Sequence, residues 1–231
     1  MSRSLNKEII STSCIILIIL LYQAFSIIPL KAENRIKINK KIIVIDPGHG
    51  GEDSGIIVNN SLSEKSVTLK IARLTAKLLK EKYKIFLTRH NDLSLSPLKR
   101  TAFANIHKPD IFISIHAMKK INEPGSFIIF CPPIKGKLSQ NNPSYAWEKE
   151  QLKHIKQSKA AAEILSAAFS KKFKKKFFIV SAPAIVLQGA QMPAVLIEVL
   201  PMEQLMGETN KEEILLSHAQ AIAESLKMIL K

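Results

Sequence analysis

The chain has 231 residues, 46% hydrophobic and 23% charged, with 8 glycines and 11 prolines. That is enough apolar material for one domain with a real core, and it excludes wholesale disorder and a fibrous or linker-dominated architecture. Lys and Arg outnumber Asp and Glu by 34 to 19, a formal net charge of +15, which suits an anionic partner: nucleic acid, an anionic membrane surface or an acidic polymer.

The first segment differs from the rest. Arg3 and Lys7 precede an apolar stretch from Cys14 to Tyr22, a mixed segment to Leu30, and then Lys31-Ala32-Glu33-Asn34. A basic start, a short apolar core and a small residue before a polar region read as a secretory signal over residues 1–32. If the mixed segment extends the apolar core, the same residues form an uncleaved N-terminal anchor, the only membrane contact expected. With the segment removed Cys131 is alone, so no internal disulfide is expected and export rests on the signal.

Residues 33–40 are a basic lead-in. Lys41 to Asp46 is a continuous apolar run ending in an acid, the mark of a strand buried on both faces, and Pro47-Gly48-His49-Gly50-Gly51 after it is a loop. Apolar residues at helical spacing predict a helix over Ser63–Lys82, with Ser63 capping its start. A strand is expected at Lys84–Thr88, a helix at Leu98–His107, a strand at Asp110–Ile115 ending on His116, and a strand at Ser126–Cys131. Pro132 to Pro143 reads as a loop, Ser144–Ser170 as one long helix, and Lys171-Lys172-Phe173-Lys174-Lys175-Lys176 as its solvated basic end. Short strands are expected at Phe177–Val180, Ala184–Leu187 and Ala194–Val199, with a last helix over Lys211–Leu230. Alternating strands and helices predict a single layered α/β domain over residues 41–231, with a mixed, mostly parallel sheet flanked by helices. No zinc-finger spacing or RNA-recognition signature accompanies the charge, so nucleic acid is not an expected partner.

In such sheets ligands collect at the carboxyl ends of the strands. His49 leaves the first strand, Glu64 begins the first helix and His116 follows the third strand. Two imidazoles and one carboxylate suit a catalytic Zn2+ that keeps its fourth position for water. Singly, a histidine at a strand end is ordinarily a hydrogen-bonded structural residue and a helix-starting glutamate a dipole partner, so spacing alone leaves both readings open. Glu198 ends the apolar run Ala194-Val195-Leu196-Ile197 and suits either an edge salt bridge or a general base beside a metal-bound water. His90, His107, His154 and His218 lack a partner pattern and are expected on the surface.

Asp46-Pro47-Gly48-His49-Gly50-Gly51, Glu64-Lys65, Thr88-Arg89, Arg100 with Ala104-Asn105, Ser114-Ile115-His116-Ala117 and Met192-Pro193-Ala194-Val195-Leu196-Ile197-Glu198 occur in order with sensible spacing. Together they resemble the zinc-dependent N-acetylmuramoyl-L-alanine amidases, the amidase type 3 family, over essentially residues 41–230. The resemblance implies that His49, Glu64 and His116 bind one zinc ion and that Glu198 is the catalytic carboxylate. It implies a zinc amidase/exopeptidase-like α/β fold and hydrolysis of the amide between the muramic acid lactyl group and L-alanine of peptidoglycan. The enzyme is then expected outside the cytoplasm, in the periplasm or cell wall, working in wall remodelling or daughter-cell separation.

Two departures from the family pattern stand close to the expected substrate position. Met118 follows Ala117 where the family usually has Asn, and Val199-Leu200-Pro201-Met202-Glu203 replaces a Gly-Phe-x-Ser-Asn continuation. Residues 132–157 match least and form either a substrate-side loop or an inserted helix of the kind an activator protein displaces. The competing readings are another zinc peptidase on a related fold and a wall-binding or regulatory homologue without turnover.

Overall fold

The computed structural model describes residues 40–59, 62–119, 127–130 and 150–231 of the chain. The expected signal or anchor, the lead-in to residue 39 and most of the 132–157 stretch lie outside the described residues. Among them, no helix is long and apolar enough to cross a membrane.

Chain order explains the layering. β1 (Ile42–Pro47) is followed by a short hairpin, β2 (Ile57–Asn59) and β3 (Leu62–Ser63), and then by α1 (Glu64–Leu79). β4 (Lys84–Leu87), α2 (Pro97–His107), β5 (Ile111–Met118) and β6 (Phe127–Phe130) come next. α3 (Ile155–Phe173), β7 (Phe178–Ser181), a 3-10 turn at Ile185–Leu187, β8 (Ala194–Pro201), a second 3-10 turn at Met202–Leu205 and α4 (Lys211–Ile229) complete the order. Six strands form one sheet in the order β4-β1-β5-β8-β6-β7, and β2-β3 form a separate pair. All pairings in the large sheet are parallel except that of β6 with β8, which gives the expected mixed, mostly parallel sheet.

Strand period sorts the core. Ile43 and Ile45 of β1, Ile111, Ile113 and Ile115 of β5, and Val195 and Ile197 of β8 join one cluster with Val67 and Ile71 of α1, Leu165 and Phe169 of α3, and Ile222 and Leu226 of α4. Val44, Phe112, Ala194 and Leu196, one residue out of step, face the other side and pack with Ala104 of α2 and Val186 and Leu187 of the first 3-10 turn. Each central strand is therefore apolar on both faces through its first half, because both faces are covered, and its polar residues fall towards its carboxyl end. α2 starts well for a local reason: Pro97 sits at its first turn, and Ser96 Oγ accepts from Lys99 N at 3.4 Å.

Several expectations need correction. Ser63 precedes α1 but its side chain makes no capping bond; it meets Ser66 Oγ at 3.4 Å instead. Ala184–Leu187 is a 3-10 turn rather than a strand. Its Leu187 N–H bonds back to Ala184 O, and Thr101 Oγ1 takes Val186 O at 2.7 Å, which diverts its carbonyl from any ladder. The long helix is broken: residues 150–152 are helical, a turn follows, and α3 begins anew after His154. His218 is 4% exposed, not on the surface, because α4 is buried against two other helices and its imidazole stacks on Phe173 at 4.2 Å. His107 is half-buried between Phe86 and Phe103.

Candidate metal centre

The carboxyl ends of β1, β5 and β8 lie side by side, with Pro47 opposite Ile115 and His116 opposite Glu198. Adjacent parallel strands in that register put His116 and Glu198 on one face of the sheet at neighbouring positions. Gly48 extends the ladder by donating to Ile115 O at 2.9 Å, and the chain then turns at His49, whose φ of 60° is left-handed. Gly48 is required by space: a Cβ there would stand 2.4 Å from the His116 ring.

Three atoms converge at this turn. His49 Nε2 lies 3.0 Å from Glu64 Oε1, His116 Nδ1 lies 3.1 Å from the same oxygen, and the two ring nitrogens are 3.2 Å apart. Ligands about 2.0–2.1 Å from a tetrahedral ion stand about 3.3 Å from one another, so this near-equilateral triangle fits a small metal ion. The three residues form the candidate cation cluster among the described residues, and the structure thus brings together all three expected ligands. Glu198 is not part of the triangle. It stands beside it on β8, half-buried.

The centre is oriented from outside. Glu64 opens α1 and accepts backbone N–H groups from Ala117 at 3.0 Å and Ile56 at 3.1 Å. Asp53 holds His49 Nδ1 through both oxygens at 2.9 Å, which leaves Nε2 for the cluster. Burial opposes ionisation of Glu64, but His116, His49 and the two N–H groups outweigh it and hold its carboxyl well below the usual range. Burial likewise lowers His49, and the Glu64 and Asp53 carboxylates reverse this and raise it. Glu198 is raised by burial, opposed by the nearby His116 and reinforced by the Glu64 charge. A carboxylate that holds a proton more readily than usual is suited to taking one up and giving it back.

Beneath the loop lies a polar network that sequence reasoning quoted but did not assign. Asp46 is wholly buried and is bonded by Thr88 Oγ1, by Ser114 Oγ at 2.6 Å and by Arg100 Nη1 at 2.8 Å. Arg100 also donates to Pro47 O and His49 O, both at 2.8 Å. Arg89 donates to Pro47 O at 3.0 Å and Gly48 O at 2.8 Å, and Thr68 Oγ1 donates to Gly48 O at 2.8 Å. Every carbonyl of the turn that carries His49 is thereby satisfied. The signal for Asp46 was the one already used for Glu198, an acid closing an apolar strand. Asp53 had no such signal, because nothing in a loop fixes which neighbour meets a histidine.

Comparison with known proteins agrees with this arrangement. The family model described as N-acetylmuramoyl-L-alanine amidase matches residues 43–227. The N-acetylmuramoyl-L-alanine amidase AmiC of Escherichia coli is 37% identical over 101 residues, 42% of this chain and 24% of that protein. The endolysin of Bacillus phage SPP1 is 28% identical over 205 residues, 81% of this chain and 67% of that protein. The catalytic domain of CwlV, an amidase from Bacillus (Paenibacillus) polymyxa var. colistinus, superposes with a TM-score of 0.65 at 26% identity, covering 82% of this chain and 98% of that one. Matches to other curated relatives span 19% and 38% of their length, so this chain corresponds to part of those proteins.

Proposed function

Because the chain belongs to the N-acetylmuramoyl-L-alanine amidase family, we propose that it hydrolyses the amide joining N-acetylmuramic acid to the L-alanine of peptidoglycan, using one zinc ion held by His49, Glu64 and His116. The observation that carries the reading is the triangle of donor atoms with Glu198 beside it. Two imidazoles and a carboxylate are a donor set zinc favours. Bound there, zinc would polarise the amide carbonyl and make water a ready nucleophile near neutral pH.

The chain's own residues do the rest. Asp53 fixes the tautomer of His49, and Glu64 is locked by two backbone N–H groups, so the ligands are set before substrate arrives. Glu198 takes a proton from the attacking water and delivers it to the departing amine of L-alanine. Its burial supports that double role by keeping its affinity for a proton above that of an exposed glutamate.

Digestion of purified cell wall by the zinc-loaded protein tests the reading. New peptide ends bearing N-terminal L-alanine, abolished by a chelator, are expected. Products cut elsewhere in the stem peptide point to another zinc peptidase, and no products to a wall-binding homologue. Export is proposed from the sequence of residues 1–32, with an uncleaved anchor as the alternative, and fractionation of cells expressing the full chain tests it. An activator protein acting through residues 132–157 is a proposed partner. Deletion of that stretch, raising basal turnover, is the result that fits.

A further inference from the structure

The chain just after His49 has little rigidity of its own. His49, Gly50 and Gly51 take successive positive φ values of 60°, 132° and 63°, and two adjacent glycines leave the backbone more freedom than any other pair would. The loop after β4 closes over this stretch. A Cβ on Gly50 would stand 2.4 Å from Leu93 O, and one on Gly51 would stand 2.6 Å from Ser94 N.

An ion pair grips Gly51 from both sides. Asp92 Oδ1 accepts the Gly51 N–H at 2.7 Å, and Lys65 Nζ donates to Gly51 O at 2.7 Å. Lys65 Nζ and Asp92 Oδ2 meet at 2.8 Å, which closes the ring. Lys65 also reaches the far end of the segment: its N–H bonds Ser54 O at 3.2 Å, and its own carbonyl accepts from Arg89 Nη2 at 2.9 Å. Asp53 lies between these two anchors. Gly50 and Asp53 exchange both backbone bonds, at 2.8 and 3.3 Å, so what fixes Gly51 also fixes Asp53. The Asp53 side chain is 64% exposed, where water competes for its bonds, and its hold on His49 Nδ1 therefore depends on the backbone that presents it. Lys65 directly follows Glu64, so one residue joins the helix of one expected ligand to the clasp on another.

Resting on the zinc reading of His49, Glu64 and His116, we propose that Lys65 and Asp92 are positioning residues for the metal centre: by fixing Gly51 they hold Asp53 on His49 and keep Nε2 aimed at the ion. Neither belongs to the donor triangle. Loss of a partner that orients a ligand weakens metal binding by about 10–100-fold, and Asp92, acting one step further out, is expected at the low end, about tenfold.

The test uses the full chain. Zinc affinity is measured by competition with a chromophoric chelator for wild type, Asp92→Ala, Asp92→Asn, Asp53→Asn and the Asp92→Ala/Asp53→Asn double variant, with a melting curve for each zinc-free protein. Asp92→Ala is expected to bind zinc about tenfold more weakly with little change in melting temperature, because Asp92 is exposed. Asp92→Asn keeps an acceptor for the Gly51 N–H and is expected to recover part of that loss. The double variant is expected to match Asp53→Asn within about twofold, because no clasp is left for Asp92 to position. Wild-type affinity in Asp92→Ala or in Asp53→Asn, no recovery in Asp92→Asn, or losses that multiply in the double variant overturn the proposal. His49→Ala separates this from the zinc reading. If that variant binds zinc as wild type does, the ligand assignment fails and the proposal with it; if it loses zinc while Asp92→Ala does not, the proposal alone fails.

Discussion

Two segments flank the metal centre, and they are held in opposite ways. The turn at residues 47–49 is fixed by ionic and polar bonds: Arg89 and Arg100 take its carbonyls, and Arg100 is itself anchored by buried Asp46. The segment after Glu198 is fixed by apolar burial, with Val199, Leu200, Met202 and Leu205 all at 1% exposure or less. Directional bonds set an atom's position closely but tolerate no missing partner, whereas packing tolerates change on its outward side. The His49 side therefore suits metal ligands. The Glu198 side can change at outward residues such as Met206 without moving the ligands.

The largest effect that would sharpen this contrast lies at the chemistry itself. Glu198→Gln is expected to keep the metal, as read by elemental analysis, while turnover falls by about 10²–10⁴-fold. Near-normal turnover in that variant removes Glu198 from the proposed role. Next, Asp46→Ala strands the buried Arg100 charge and is expected to cost about 3–5 kcal/mol in denaturant unfolding, with weaker metal binding alongside. A loss under 1 kcal/mol would mean that the turn does not depend on its ionic support.

Away from both segments, His218 sets a pH dependence of the fold. Burial, offset in part by its bond to Ile214 O and reinforced by Lys175 and Lys172, pushes its imidazole down to about 4 from an ordinary 6.5. The unfolded chain thus takes up the proton first, so this contribution to stability is complete above pH 6.5 and is lost as pH falls towards 4. His218→Phe is expected to reduce the stability difference between pH 7 and pH 4.5 by on the order of 2–3 kcal/mol. An identical pH profile for the two proteins contradicts this. The smallest effect belongs to exposed Asp53: Asp53→Asn is expected to weaken metal affinity about 10–100-fold with little change in melting temperature. Unchanged affinity would show that the His49 tautomer is set without it.

Much of the fold was legible because the central strands open with continuous apolar runs and the helices keep a 3.6-residue period. β1, β4, β5, β6, β7, β8, α1, α2 and α4 all fall where the pattern puts them. The errors occur where local apolar content is ambiguous. Ala184–Leu187 is as apolar as a strand, but its carbonyl is taken by Thr101, and only packing against α2 decides that. His218 sits on a helix whose sequence cannot reveal that helices cover it from two directions.

The sequence by itself determined the layered α/β domain, and it named His49, Glu64, His116 and Glu198 as candidates through their resemblance to a family pattern, because a place at a strand end or helix start left a structural reading open for each. What only tertiary structure decided is their company. Strand order places β1, β5 and β8 side by side, which closes the donor triangle to 3.0–3.2 Å and sets Glu198 beside it. The buried arginines under the turn also arise from contacts between residues distant in the chain, Arg89 and Arg100 lying 42 and 53 positions from the Pro47 carbonyl they share. Such contacts follow from the crossover connections of the sheet, which local periodicity does not encode.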